Sequence, residues 1–142
     1  MIQINQDLVD QIIDHAQSVD PIEACGYLAG KGDVVSKMYP LTNVDHSPEH
    51  FSLDPLEQLK VRREARLDGL DIIAVYHSHP ASPARPSDED IRLAHDPDII
   101  YAIVSLASDE PVLKAYKIQQ GNSVTNHKKV ILNVDLHITA NS

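Results

Sequence analysis

The stretch AVYHSHPASPARPSDEDIRLA, residues 74 to 94, joins an apolar run to a helical pattern through a proline-rich segment. The run leading into it, LDIIAVYH (70–77), reads as a continuous apolar strand, central in its sheet. Residues i and i+2 of a strand point the same way, so His77 and His79 present two imidazoles on one face at the strand's end. Pro80, Pro83 and Pro86 make the next segment stiff and non-helical. Ser87 then begins a short helix, DEDIRLAHD, with Asp90 in its first turn and a stop near Pro97.

Upstream, NQDLVDQIIDHAQSV reads as an amphipathic helix, with Leu8, Val9, Ile12, Ile13 and Ala16 at helical spacing. Asn5 is a good N-cap and Asp7 suits the positive helix start. The segment ACGYLAGKGDVVSKMYPLTN reads as two short strands around a turn at GKGD. A polar loop, VDHSPEHFS, leads to the best-marked helix, DPLEQLKVRREARLDG (54–69). There Asp54 caps, Pro55 fits the first turn, Glu57 completes a capping box and Gly69 ends the helix. Leu56, Leu59 and Leu67 supply its expected apolar side.

Downstream, IIYAIVSL is a second buried strand, and PVLKAYKI with SVTNHKKVIL reads as a hairpin around QQGN. The expected order is α-β-β-α-β-α-β-β-β, an α+β fold with a mixed sheet and helices packed against it. One domain is expected over residues 1–132, with 133–142 as a weakly patterned C-terminal tail.

Composition narrows the function classes. The chain has 142 residues, one cysteine and a formal net charge of −9. An acidic surface argues against a nucleic-acid or anionic-membrane partner. A single cysteine, Cys25, permits no intrachain disulfide and no cysteine-rich zinc module; it reads as a small buried residue. The N-terminus lacks a basic segment followed by an apolar run, and no apolar run reaches membrane-spanning length. A soluble cytoplasmic protein is therefore expected. The local basic run KVRREAR (60–66) reads first as a solvated helix face partnered by Glu57 and Glu64, and second as a docking patch for an acidic partner.

The chemistry gathers at residues 77 to 90. Two imidazoles at a strand end are two ligands for a zinc ion, which needs donors at about 2.0–2.2 Å in tetrahedral array. An acid in the following helix start can fold back, so that His77, His79 and Asp90 leave the fourth position to water, as in catalytic zinc sites. Each part alone has a plainer reading. Ser87-x-x-Asp90 is a near capping box, and a single His-x-His on a strand is usually unrelated to metal. The whole constellation is far more specific, and capping is compatible with it. Glu23, ahead of the strand in IEACGYLAG, is a candidate proton carrier, although spacing alone favours a surface glutamate at a strand start. His15, His46, His50, His95, His127 and His137 lack paired ligand spacing and read as surface residues.

HSHPASPARPSDED resembles the JAMM (MPN+) metalloprotease motif: His-x-His-Pro, six intervening residues, then Ser-x-x-Asp. His77, Ser78, His79, Pro80, Ser87 and Asp90 fill every position. EACGYLAG is similar to the upstream Glu-x-Cys-Gly-x-Leu-x-Gly element of that family's bacterial and archaeal branch, and the likeness spans roughly residues 1 to 132. The resemblance implies a curved mixed sheet flanked by helices. It implies Zn2+ held by His77, His79 and Asp90, Glu23 as general acid/base to a zinc-activated water, and Ser87 as donor to the oxyanion.

It also implies hydrolysis after the C-terminal Gly-Gly tail of a ubiquitin-like or sulfur-carrier protein. The absence of large insertions favours the small carriers. The tail would add to a sheet edge, in a groove walled by SHPASPARPS and NVDHSPEHFS, with Asn43 and Phe51 as candidate wall residues. The alternative is a non-catalytic MPN-type module that binds ubiquitin-like proteins; such modules usually lose metal ligands, and none is lost here.

Overall fold

The computed structural model describes residues 1–121 and 128–141. Eleven elements follow in the order β1 (Ile2–Asn5), α1 (Gln6–Val19), β2 (Cys25–Lys31), β3 (Val34–Leu41), α2 (Pro55–Leu67), β4 (Asp71–His79), α3 (Asp88–Leu93), β5 (Ile100–Ser105), β6 (Val112–Gln120), β7 (Lys129–Val134) and β8 (Leu136–Thr139). The strands form one mixed eight-stranded sheet in the order β7-β6-β5-β4-β2-β3-β1-β8. The α+β class and mixed sheet agree with the sequence reading. Among the described residues, no helix is long and apolar enough to cross a membrane.

β4 is interior, antiparallel to β2 and parallel to β5. It is buried without interruption from Ala74 to His79, as a strand covered on both faces must be. One face packs Ala74 and Tyr76 against Leu8, Val9, Ile12 and Ala16 of α1. The other packs Val75, Cys25, Tyr27 and Ala29 against Val61 and Ala65 of α2. Odd-numbered residues at the start of β2 and the end of β4 therefore share the α2 side.

α1 starts where expected: the Asn5 side chain accepts from the Leu8 N–H at 2.9 Å. The β2–β3 turn uses Gly32 at φ +56°, a conformation that glycine adopts without Cβ strain.

Several expectations are corrected. Residues Ile2–Asn5, to which the sequence reading assigned no strand, and Leu136–Thr139, read as part of a tail, are strands that pair in parallel with each other. Each has only four residues, too few for a periodic signal, and is made by its neighbours. In α2 the apolar side is misassigned. Leu56, Leu59 and Leu67 are 76%, 64% and 78% exposed, while Val61 and Ala65 face the sheet. Glu57 makes no capping box; it leaves its helix to accept from the Thr42 N–H at 2.6 Å and hydroxyl at 2.9 Å. Arg62 lies over the Tyr27 ring and donates to its hydroxyl at 3.2 Å. Among the described residues, no ion pair joins the KVRREAR cations to Glu57 or Glu64. The expected hairpin is present as β6–β7, but Asn122, the strand start at Ser123 and His127 lie outside the described residues.

Gly26 marks a close approach between β2 and the Tyr76 ring of β4. A Cβ there would meet the Tyr76 ring and the Tyr39 carbonyl oxygen. Tyr76 cannot yield easily, because it is fully buried and its hydroxyl is 2.7 Å from His15 Nδ1. That contact makes His15 a half-buried partner of the core, not the surface residue expected. Gly26→Ala is expected to lower stability by about 1–3 kcal/mol through overpacking, measurable as a reduced denaturant midpoint.

Candidate metal and proton-transfer site

β4 ends at His79, and α3 begins nine residues later at Asp88. The loop between them turns the chain so that three side chains meet. His77 Nε2 and His79 Nε2 are 3.2 Å apart, and Asp90 Oδ2 lies 3.2 Å from the first and 3.1 Å from the second. A tetrahedral ion bound at about 2.0–2.1 Å requires its ligand atoms to lie about 3.3–3.4 Å from one another. The trio matches that spacing, and its donor set of two imidazoles and one carboxylate suits a divalent metal. All three side chains are withdrawn from water, with His77 and His79 2% and 4% exposed.

Neighbouring groups hold each ligand. His79 Nδ1 lies 2.8 Å from the Pro83 carbonyl oxygen. That bond places the ring proton on Nδ1 and leaves the Nε2 lone pair toward the trio, the usual outer support of a metal-binding histidine. His77 is held by its ring, which stacks on Phe51 at 4.9 Å between centroids and 29° between planes. Asp90 is held by its helix. Its N–H donates to Ser87 Oγ at 3.1 Å, and its Oδ2 accepts from the Ser87 N–H at 2.9 Å. This is a complete capping box, with aspartate standing where glutamate is favoured. Capping and ligand placement are one arrangement. The Ser87 side chain also borders the cleft beside His79.

Glu23 reaches the same place from β2. In the β2–β4 ladder Cys25 is opposite His77. Glu23 stands two residues before β2 begins, and continuing the antiparallel count past Cys25 and His77 brings it level with His79 at the end of β4. Beyond the ladder the join continues: the Ser78 N–H donates to the Ala24 carbonyl at 3.0 Å, and the Ala24 N–H donates to Ser78 Oγ at 2.7 Å. Glu23 is 2% exposed, and its Oε1 has no hydrogen-bond partner. Burial raises its carboxyl to about 8; the His79 charge opposes the rise, and those of Asp90 and Glu89 add to it. Glu23 lines one cleft with His79 and Ser87.

Two residues carry more of the site than the sequence indicates. Ser78, only a motif position in the sequence, is the bolt between the two strands. Asn43, expected as a groove wall, is 6% exposed and organises the loop from inside. Its side-chain amide donates to the carbonyls of Glu23 and His50 at 3.1 and 3.0 Å, and its Oδ1 accepts from the N–H groups of Asp45 and Ser52. Cys25 is fully buried, and burial pushes its thiol up to about 12, so it is no nucleophile. His50 is half-buried, pairs with Asp45 at 3.1 Å, and borders the site beside Phe51, Leu93 and Tyr101. No ligand spacing in the sequence singles it out.

Two outcomes are expected in the metal-free protein. Ser78→Ala strips the buried Ala24 N–H of its acceptor and should cost about 1–3 kcal/mol, seen as a lower denaturant midpoint at unchanged slope. The second outcome concerns pH. Burial works against the Asp90 charge, but hydrogen bonds from His77, His79 and the Ser87 N–H outweigh it and hold the carboxyl well below its ordinary 3.8. For His79, burial disfavours the charged ring, but the bonds to Asp90 and Pro83 prevail and raise it above 6.5. The Asp90 contribution is present above the ordinary carboxylate value and lost as pH falls through the native one. The His79 contribution is present below 6.5 and lost as pH rises through its raised value. With a chelator present, the stability gap between wild type and Asp90→Asn should therefore be largest in mildly acidic solution and shrink as pH rises through the raised His79 value. Thermal unfolding of both proteins across pH measures it.

Comparison with known proteins places the chain among described relatives. The family model described as prokaryotic homologs of the JAB domain matches residues 5–119. A CysO-cysteine peptidase of Mycobacterium tuberculosis is 40% identical over 125 residues, 85% of each chain. A desampylase of Pyrococcus furiosus is 32% identical over 114 residues, covering 80% of this chain and 79% of its own. The solution structure of a Desulfitobacterium hafniense protein superposes with a TM-score of 0.84 at 40% identity, covering 99% of this chain and 94% of its own. The chain belongs to the family of prokaryotic homologs of the JAB domain.

Proposed function

We propose that the protein is a zinc-dependent peptidase or isopeptidase that hydrolyses the bond after the C-terminal Gly-Gly of a ubiquitin-like or sulfur-carrier protein. One observation carries this reading: a buried carboxylate without a partner, Glu23, opens onto the same cleft as a converged His77–His79–Asp90 trio. An unpaired buried carboxylate is costly to keep, and a proton carrier beside a metal is a reason to keep it. The relatives named as CysO-cysteine peptidase and desampylase support a tail-processing activity.

In this reading His77, His79 and Asp90 hold the ion, and zinc when bound supplies Lewis acidity toward water and the scissile carbonyl. Glu23 takes the proton from the attacking water and delivers it to the leaving nitrogen. A carboxyl raised to about 8 is suited to holding a proton near neutral pH and giving it up again. The Ser87 hydroxyl, kept in place by the capping box, donates to the oxygen on which negative charge develops. The walls are the loop carrying Pro48–Phe51 and the segment carrying Ala81–Ser87, the two segments the sequence suggested. Glycines pass between such walls because they carry no side chain.

Zinc-loaded protein is expected to bind about one ion per chain and to cleave an extended Gly-Gly carrier, read by mass. Chelation should abolish cleavage and added zinc restore it. Glu23→Gln should retain zinc and lose activity by about 10²–10⁴-fold. Glu23→Gln with undiminished cleavage, or metal-replete protein holding no zinc, overturns the proposal.

A further inference from the structure

α3 carries Asp90, and the capping box that orients this carboxylate lies wholly within one short segment. The box fixes the carboxylate relative to the helix, but not the helix relative to the sheet that supplies the two histidines. α3 has six residues and buries none of them. A helix so short is marginal by itself. Something outside it must keep Asp90 level with His77 and His79.

That hold comes from β7. The Lys129 ammonium lies at the far end of α3 and donates to the carbonyl oxygens of Ile91, Arg92 and Ala94 at 2.8, 3.2 and 2.6 Å. An ammonium has three donors, and these carbonyls take them. Carbonyls at the end of a helix have no partner within it, and a lysine side chain is one of the groups that satisfy them. Lys129 is itself fixed to the sheet, opposite Gln120 in the β6–β7 ladder. β6 pairs with β5, and β5 with β4, whose end supplies His77 and His79. The contacts therefore close a ring. It runs from the histidines across the sheet to Lys129, along α3, and back to the histidines through Asp90.

The chain on either side of α3 is fastened in the same way, by strand side chains that donate to backbone carbonyls. Ser105 of β5 donates to the Ser82 carbonyl and Tyr116 of β6 to the Ala84 carbonyl, both at 2.6 Å. Gln119 of β6 donates to the Pro97 carbonyl at 3.2 Å. Those three hold the flanking loops, whereas Lys129 grips the helix itself.

We propose, building on the zinc-site reading above, that Lys129 is a positioning residue: it clamps the end of α3 to the sheet and so keeps the Asp90 carboxylate within ligand distance of His77 and His79. It touches neither ion nor substrate. Released from the clamp, α3 is free to tilt, and a displaced carboxylate no longer meets an ion whose ligand distances are short and fixed.

The test is the zinc affinity of the full chain, measured by competition with a chromophoric chelator. Lys129→Met removes every donor and should bind zinc about 10- to 100-fold more weakly than wild type, the loss usual for an outer support of a metal site. Lys129→Arg keeps the charge and several donors and should recover most of that loss. Urea unfolding of each protein, with and without zinc, separates positioning from plain support of the fold. Plain support lowers stability equally in both conditions and leaves the increment due to zinc unchanged; weaker zinc binding makes that increment smaller. If Lys129→Met does not fold, Lys129→Gln, shorter and with two donors, replaces it in the same comparisons. An unchanged zinc affinity, an unchanged zinc increment, or equal weakening by the neutral residue and by arginine overturns this inference alone. Wild-type protein that binds no zinc overturns the zinc-site reading and this inference with it.

Discussion

The site depends on the register between β2 and β4. Cys25 stands opposite His77, and the paired hydrogen bonds between Ala24 and Ser78 extend the join past the last ladder residue. A slip by one residue would turn Glu23 to the opposite face of the sheet, since side chains alternate with period two. The register is secured by packing as well as by hydrogen bonds. Gly26 lies under the Tyr76 ring, Tyr76 is tied to His15, and the apolar residues of both strands are divided between the α1 and α2 sides. Two short strands thus set the separation between a carboxylate and a ligand cluster that lie more than fifty positions apart in the chain.

A second economy lies in groups that serve structure and site at once. Ser87 and Asp90 close the first turn of α3 with their mutual bonds, and the same bonds aim the carboxylate at the histidines. The helix has only six residues and buries none of them, so its cap is a large part of what orients it. Asn43 likewise gathers a loop around one side-chain amide, anchoring the Glu23 carbonyl on one side and the His50 carbonyl on the other. Phe51 is thereby set against His77, and the cleft gains its apolar wall. Buried polar groups of this kind are tolerated because nearly all their donors and acceptors are met. Glu23 Oε1 and His77 Nδ1 are the buried exceptions among the described side chains, and both lie at the site.

Legibility in the sequence followed the range of the interactions. The apolar run of β4, the His-x-His end, the three prolines and the Ser-x-x-Asp start are local, and each was readable from its own neighbours. The leucines of α2 were misread because a helix of mixed pattern offers two stripes, and only the sheet decides which one it covers. Val61 and Ala65 are small enough to let α2 approach Tyr27 and Val75, while the larger leucines stay outside. Glu57 was read as a local cap but found a better partner in Thr42, across a gap of fifteen residues. β1 and β8 were missed because four residues carry no periodicity of their own, and each exists by pairing with the other.

By itself the sequence determined the α+β class, the central strand, and a donor set of two imidazoles and a carboxylate with a serine at the helix start. These depend on backbone periodicity and on contacts a few residues apart, which spacing encodes directly. Only the tertiary structure decided that Glu23 shares a cleft with His79 and that Ser78 rather than a loop residue ties the two strand ends together. Those facts depend on strand register and on which loops the sheet brings together. Such long-range pairings are fixed by the packing of the whole core, not by any stretch of the chain read alone.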